Sequence, residues 1–129
     1  MGQLEVLDPK VRCPLCFSPD YDSEHALCAD CSKSVTALNR SLAVFDYVGP
    51  AASMVKRLKY GNQRHLAEGM AGYMAAQLLE SGWEIPYCII PVPITWLRQF
   101  DRGYNQSVLL AEGMGRILGC PVVEVVGRR

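Results

Sequence analysis

The chain has 129 residues, half of them hydrophobic and a fifth charged, with a formal net charge of zero. That is enough for one folded domain plus a small module, and the balanced charge argues against nucleic-acid binding by bulk charge alone. No apolar run approaches the roughly 20 residues of a membrane-spanning helix. Residues 1–12 have no apolar core of a secretory signal, so a cytoplasmic location is expected.

Residues 1–12 are a short lead-in. Cys13, Cys16, Cys28 and Cys31 then form two Cys-x-x-Cys pairs with eleven residues between them. Two residues between paired thiols let both sulfurs face one cation, and two such pairs complete a tetrahedral four-thiolate shell, the pattern of structural Zn²⁺. A thioredoxin-like dithiol would need a βαβ context at this point of the chain. A disulfide framework would need an oxidising compartment, which nothing in the sequence indicates. The predicted zinc ribbon spans residues 11–36. So short a segment cannot bury a useful core, and metal binding, about 10–16 kcal/mol for structural zinc at neutral pH, is expected to supply much of its folding energy. His25 lies between the pairs and is read as a surface residue, because four thiols already fill the shell. Cys88, in an apolar run, and Cys120, before Pro121, are read as small buried hydrophobes.

The second predicted unit covers residues 42–129. Leu42 to Val48 reads as a strand ended by Gly49-Pro50. Ala51 to Tyr60 reads as a helix with Met54, Val55 and Leu58 on one side and Lys56, Arg57 and Lys59 mostly on the other. A second helix is predicted from about Gln63 to Ser81, with Leu66, Met70, Tyr73, Met74 and Leu78 at helical spacing. Gly69 and Gly72 either weaken it or allow close packing. Tyr87 to Val92 is a continuous apolar run that suits a buried parallel strand, with Pro91 confined to its end. Thr95 to Gly103 reads as a loop carrying Trp96, Arg98 and Arg102. A third helix is predicted from about Tyr104 to Leu118, with Val108, Leu109, Ala111 and Ile117 available for packing and Gly119 as its C-cap. Pro121 to Val126 reads as a last strand. This alternation predicts an α/β fold that begins with a βαβ unit.

The junction of strand, loop and helix carries a second candidate site. Pro91-Val92-Pro93 is followed by Arg102-Gly103-Tyr104-Asn105-Gln106. The first-turn N–H groups of a helix starting here would face the carboxyl edge of the strand, where α/β sheets bind ligands. Arg102 offers a planar cation for phosphate oxygens, and Gly103 allows close backbone approach. The alternative is that Arg102 pairs with Asp101 or Glu112 and Gly103 only makes a turn; local pattern does not separate the two. Gly113-Met114-Gly115 with Gly119 imitates a dinucleotide fingerprint but lies in or after a helix and has the wrong spacing. His65, near a helix start, reads as solvated, and the Lys56, Arg57, Lys59 and Arg64 group reads mainly as a solvated helix face.

The order of paired-cysteine knuckles, Lys56-Arg57-Leu58-Lys59-Tyr60, Pro91-Val92-Pro93 and Arg102-Gly103-Tyr104-Asn105-Gln106 resembles the ComF family. These are competence-associated proteins with an N-terminal zinc ribbon and a type I phosphoribosyltransferase-like domain. The resemblance covers about residues 11–129. It implies that Arg102, Gly103, Tyr104, Asn105 and Gln106 form the pyrophosphate-contacting loop for phosphoribosyl pyrophosphate, with Tyr104 where phenylalanine is usual. The family's paired acids and Thr-Thr-Gly loop, which hold the ribose and 5′-phosphate, have no counterpart here. The chain is therefore expected to hold a partial, Rossmann-like front part of the domain. No catalytic residue is assigned, and Mg²⁺ with phosphoribosyl pyrophosphate is implied only for a complete domain. Two other readings stay open. One is a non-catalytic zinc-ribbon module for a protein partner of the DNA-uptake machinery or for single-stranded DNA, the latter disfavoured because no aromatic-plus-basic groove is visible in the sequence. The other is a truncated reading frame without autonomous function.

Overall fold

The computed structural model describes residues 2–34 and 37–124, with Trp96 described by its backbone alone. After a 3-10 turn at Pro9–Val11, its helices are α1 (Ala29–Lys33), α2 (Gly49–Tyr60), α3 (Leu66–Glu80), α4 (Trp96–Arg102) and α5 (Gln106–Leu118).

The core lies between α3 and α5. The buried stripe of α3 is built from Ala67, Ala71 and Ala75, four residues apart, with Leu78 at its end. α5 answers with Ala111, Gly113, Met114, Gly115 and Leu118. A Cβ at Gly113 would lie 2.6 Å from the Ala71 Cβ, and one at Gly115 would lie 2.8 Å from the Cys120 carbonyl oxygen. Small side chains thus let the two backbones approach closely. This shifts the expected packing. Tyr73 of α3 is 44% exposed and Ile117 of α5 is 54% exposed, while Leu42, Met74, Trp83 and Ile89 pack around the rim of the core. The glycine that carries the approach of α5 to α3 is Gly113, while Gly115 admits the returning chain at Cys120 and Val122. A Cβ at Gly69 or Gly72 would meet nothing within 4 Å.

The expected α/β architecture is corrected to a mainly helical one. Among the described residues no strand forms, and the one trace of sheet is a parallel bridge between Ile89 and Val122. It is made by Ile89 N–H donating to Pro121 O (2.9 Å) and Val123 N–H donating to Ile89 O (2.9 Å). Pro91, Pro93 and Pro121 lack the N–H that a longer ladder would need. The run from Tyr87 is accordingly not buried: Tyr87 is fully exposed and Val92 is 69% exposed. Residues 125 and 126 of the expected last strand lie outside the described residues.

The expected strand over 42–48 also does not form. Its Ala43 carbonyl is taken by a side chain instead: Gln77, only 2% exposed, donates from Nε2 to Leu7 O (2.7 Å) and Ala43 O (3.0 Å). One buried amide thereby ties two extended segments to α3, and a single backbone bond joins them, Leu7 N–H to Val44 O at 2.8 Å. A buried donor pair without these carbonyls would be costly, so the arrangement is specific. Where a loop was predicted over 95–103, the chain forms α4. Its residues, Trp-Leu-Arg-Gln-Phe-Asp-Arg, contain no glycine or proline. Gly103 ends it with φ +73°, its N–H donating to Gln99 O.

The small-residue contact makes opposite predictions for two glycines in one helix pair. Gly113→Ala is expected to destabilise the chain by about 1–3 kcal/mol through overpacking against Ala71. Gly72→Ala, in open space, is expected to stabilise it by about 0.5–1 kcal/mol through helix propensity. Urea unfolding of both variants checks the pair; equal shifts would remove the α3–α5 contact from the account.

Candidate metal centre and basic cleft

The first cysteine pair sits on a tight knuckle. Phe17 N–H donates to Cys13 O (2.8 Å), Cys13 N–H donates to Ser18 O (3.1 Å), and Phe17 takes a left-handed φ of +65°. The second pair straddles the start of α1, where Cys28 is the N-cap and Ser32 N–H donates to its carbonyl at 3.0 Å. Neither pair lies on a strand, so the module is a knuckle followed by a short helix, not a β-ribbon, among the described residues. Its Pro-, Ser- and Asp-rich sequence lacks the alternation a strand needs.

The two pairs meet. The four Sγ atoms lie within 4.8 Å of one another, and Cys16 Sγ is 3.7 Å from Cys28 Sγ. A tetrahedral shell with metal–sulfur bonds of about 2.3 Å sets neighbouring sulfurs roughly 3.8 Å apart, so the site fits a metal ion of that kind. Cys13, Cys28 and Cys31 are buried and Cys16 is exposed, with Leu15, Tyr21 and Leu27 packed around them. All six cysteines of the chain are free thiols. The electrostatics point the same way. Burial alone would raise the Cys13 thiol, but backbone hydrogen bonds from Cys16, Cys28 and Leu15 outweigh it and bring the pKa down to about 6. The Cys31 thiol is pushed up to about 12, by its bond with Cys16 first and then by burial and the neighbouring sulfurs. Four thiols this close cannot all ionise without a cation among them. His25 stays outside, with a side chain 73% exposed and Nδ1 3.6 Å from Asp22 Oδ2, as the sequence predicts.

The second candidate site is a cleft. The end of α2, the turn after it, α4 and Gly103-Tyr104 enclose an open volume of about 770 Å³. Four cations line it, Lys59, Arg64, Arg98 and Arg102, against one acid, Asp101. Among the described residues none of the four pairs with a carboxylate. Arg102 lies with its guanidinium carbon 5.1 Å from the Tyr60 ring centre and donates from Nη1 to Gln106 Oε1 at 3.0 Å. Its partner is thus neither Asp101 nor Glu112. Arg64 stands 4.6 Å over the Tyr104 ring and donates from Nη2 to Gly103 O at 3.1 Å.

The five loop residues are brought together, but with different roles. Arg102 and Gly103 face the cleft. Tyr104 is 6% exposed and its hydroxyl donates to Leu58 O, one of the last carbonyls of α2, so the ring is an anchor in the core. Helix-end carbonyls lack intrahelical partners, which gives a tyrosine a use that phenylalanine would not have. Asn105 caps α5: its Oδ1 accepts from Ser107 N–H at 2.9 Å, and its Nδ2 donates to Val92 O at 3.3 Å. The cap engages one of the first-turn N–H groups expected to face an anion. Sequence reasoning missed Arg98 and Phe100, because residues 96–102 were predicted as a loop; read as a helix, Arg98 and Arg102 stand four apart on one face. The group of Lys56, Arg57, Lys59 and Arg64 divides, with Lys59 and Arg64 lining the cleft and Lys56 and Arg57 exposed.

Proteins from several bacteria are similar to this chain over most of its length. The chain is 30% identical over 115 residues to "DNA utilization protein YhgH" of Shigella flexneri, covering 86% of this chain and 50% of that one. It is 30% identical over 113 residues to "Competence protein F" of Haemophilus influenzae (84% and 48%), and 26% identical over 119 residues to "Competence protein ComFC" of Bacillus subtilis (88% and 49%). This chain belongs to the ComF family. It spans about half the length of the curated ComF-family relatives it matches. No family model matches the chain, and neither does any solved structure.

Two outcomes follow from this geometry. Chelation of this ComF-family chain is expected to remove one metal ion per molecule and to abolish amide protection over residues 13–34 while α3 and α5 stay protected, as metal analysis and hydrogen exchange would record. Tyr104→Phe is expected to lower stability by about 1–3 kcal/mol, because the Leu58 carbonyl loses its buried partner. An unchanged denaturation midpoint would mean that the Leu58 carbonyl finds water instead.

Proposed function

We propose that this ComF-family chain carries a phosphate-binding site of the phosphoribosyltransferase type on a zinc-stabilised support, and that it acts in DNA uptake or use. The observation that carries the reading is the cleft: four cations face one acid around Arg102, whose guanidinium is already oriented by Tyr60 and Gln106. Charge-assisted bonds from arginine to phosphate oxygens are the strongest contacts such a cleft can make. Arg102 and the Gly103 backbone would contact pyrophosphate. Tyr104 and Asn105 hold the loop in place, and Gln106 steadies Arg102. The names of the relatives support the link to DNA, and protein partners in this reading belong to the uptake machinery.

Zinc is the ion proposed for the four thiols, because a closed tetrahedral thiolate set favours it over hard cations. The domain boundaries proposed are residues 11–36 for the metal module and 42–129 for the transferase-like unit. Among the described residues no helix is long and apolar enough to cross a membrane, and four thiols set to share a metal ion fit a reducing compartment such as the cytoplasm. Mg²⁺ and phosphoribosyl pyrophosphate would act together only with a ribose-phosphate loop, which these residues do not include. No catalytic step is assigned to them.

Titration calorimetry with pyrophosphate tests the site. Arg102→Ala is expected to weaken binding by about tenfold or more, since a hydrogen bond to a charged group contributes about 1.5–3 kcal/mol. An unchanged affinity in that variant would remove Arg102 from the site.

A further inference from the structure

The four thiols of the metal centre are not equivalent. Cys13, Cys28 and Cys31 are 0%, 6% and 8% exposed, whereas Cys16 stands open to solvent. The Cys16 Sγ lies 3.7 Å from the Sγ of Cys28, a member of the other pair. Cys28 is held in place as the N-cap of α1, and its N–H donates to Cys13 Sγ at 3.5 Å. The neighbours of Cys16 on either side fasten the module to the helical body. Leu15 O accepts from Ser41 N–H at 2.7 Å. Phe17 is buried and lines a narrow gap with Pro14, Leu42 and Trp83. Its left-handed φ of +65° is a conformation that a bulky residue keeps only while its surroundings impose it. The exposed sulfur therefore sits between the two residues through which the module is docked.

We propose that Cys16 is a site of reversible oxidative modification, at which a peroxide joins Cys16 to Cys28 as a disulfide and undocks the metal module. A bound cation keeps its ligand sulfurs as thiolates. Oxidation follows thiolate character and exposure, and of the four sulfurs Cys16 has the exposure. The Cys16 thiolate attacks one peroxide oxygen: an S–O bond forms, the O–O bond breaks and hydroxide leaves. The Cys28 thiolate then attacks the sulfenic sulfur: the S–S bond forms, the S–O bond breaks and a second hydroxide leaves. Two thiolates, one hydrogen peroxide and two protons from solvent thus become one disulfide and two waters, the sulfurs giving up two electrons and the peroxide taking them. The sulfurs close from 3.7 Å to the roughly 2.05 Å of a disulfide bond. Cys28 is buried and caps α1, so the movement falls on the knuckle that carries Leu15, Cys16 and Phe17. Two of the four sulfurs are lost to the metal ion, and thiol exchange with a reductant restores them. The inference goes beyond the phosphate site and rests on the four thiols sharing a metal ion.

Stoichiometric hydrogen peroxide added to the zinc-loaded full chain tests the proposal. A chelating dye is expected to record release of the bound ion, and the denatured chain is expected to lose about 2 Da, the two hydrogens of a disulfide. Glutamyl endopeptidase cuts after Glu24, between the two pairs, so a bridge from Cys16 to Cys28 joins two peptides and tandem mass spectrometry reads which cysteines are bound. The Ser41 amide is expected to lose its protection from hydrogen exchange while α3 and α5 keep theirs, and dithiothreitol with Zn²⁺ is expected to restore it. Cys16→His and Cys31→His each leave three thiols and an imidazole, a set that still holds zinc. The Cys16→His chain is expected to keep its metal at a peroxide dose that empties both the unaltered chain and the Cys31→His chain. A first disulfide within one pair, oxidation that begins at a buried cysteine, or equal metal release from the two variants would overturn the proposal. A Cys16–Cys28 bridge that leaves the Ser41 amide protected would overturn the undocking. If either variant fails to load zinc, the bridge mapped in the unaltered chain decides. Failure of the unaltered chain to load zinc would count against the metal reading itself.

Discussion

The close contact of α3 with α5 is the constraint on which the rest of the fold depends. Alanines at 67, 71 and 75 and the glycine at 113 remove the side-chain bulk that would otherwise hold the helices apart. The spacing that results sets where each helix ends. The start of α5 is brought beside the end of α2, so that Tyr104 can reach Leu58 O, and Leu58, Ala67 and Tyr104 form a second small core there. The other end of α5 returns the chain through Gly119, φ +71°, to the bridge with Ile89. Packing of this kind is sensitive to a single methyl group because interiors are close-packed.

The cleft is a consequence of that arrangement. Arg64 follows α2, Arg98 and Arg102 belong to α4, and the loop between α4 and α5 lies where the three segments converge. Two of the cations are held by groups near them. Arg64 is fixed by Tyr104 and the Gly103 carbonyl, and Arg102 by Tyr60 and Gln106. Held guanidinium groups lose less freedom when a ligand arrives, which is the physical content of preorganisation. Gly103 suits its place in two ways. Its φ of +73° suits glycine, and a Cβ there would lie 3.2 Å from Arg64 Nη2.

The metal module follows a different logic. Residues 13–34 bury little beyond three of their four cysteines, and their fold is closed through sulfur. It is fastened to the helical body by few contacts. Ser41 N–H donates to Leu15 O at 2.7 Å, and Arg12 lies 3.8 Å from Asp46 and over the Phe17 ring. An ion pair of that length, with its carboxylate exposed, contributes little. The cysteine cluster and the α3–α5 core are separate sets of buried contacts, on either side of a change in sequence character near residue 40.

Much of this chemistry was legible in the residues themselves. The two Cys-x-x-Cys pairs dictate a four-sulfur site because their spacing is local and the chemistry of thiolates allows few uses for it. The helices at 49–60, 66–80 and 106–118 and the glycine cap at 119 follow from periodicity and from the αL preference of glycine, both short-range properties. The tertiary structure decided the rest. Whether Leu42–Val48 and Tyr87–Val92 pair as strands depends on partners far along the chain, and Gln77 and three prolines settled that against them. The buried stripe of α3 depends on what faces it, so alanines went inside and Tyr73 did not. The meeting of Tyr60, Arg64, Arg98 and Phe100 in one cleft joins segments that share no local pattern. Only the positions of the helices in space could bring those side chains together, because a sequence records spacing along the chain and a binding site is made of distances across it.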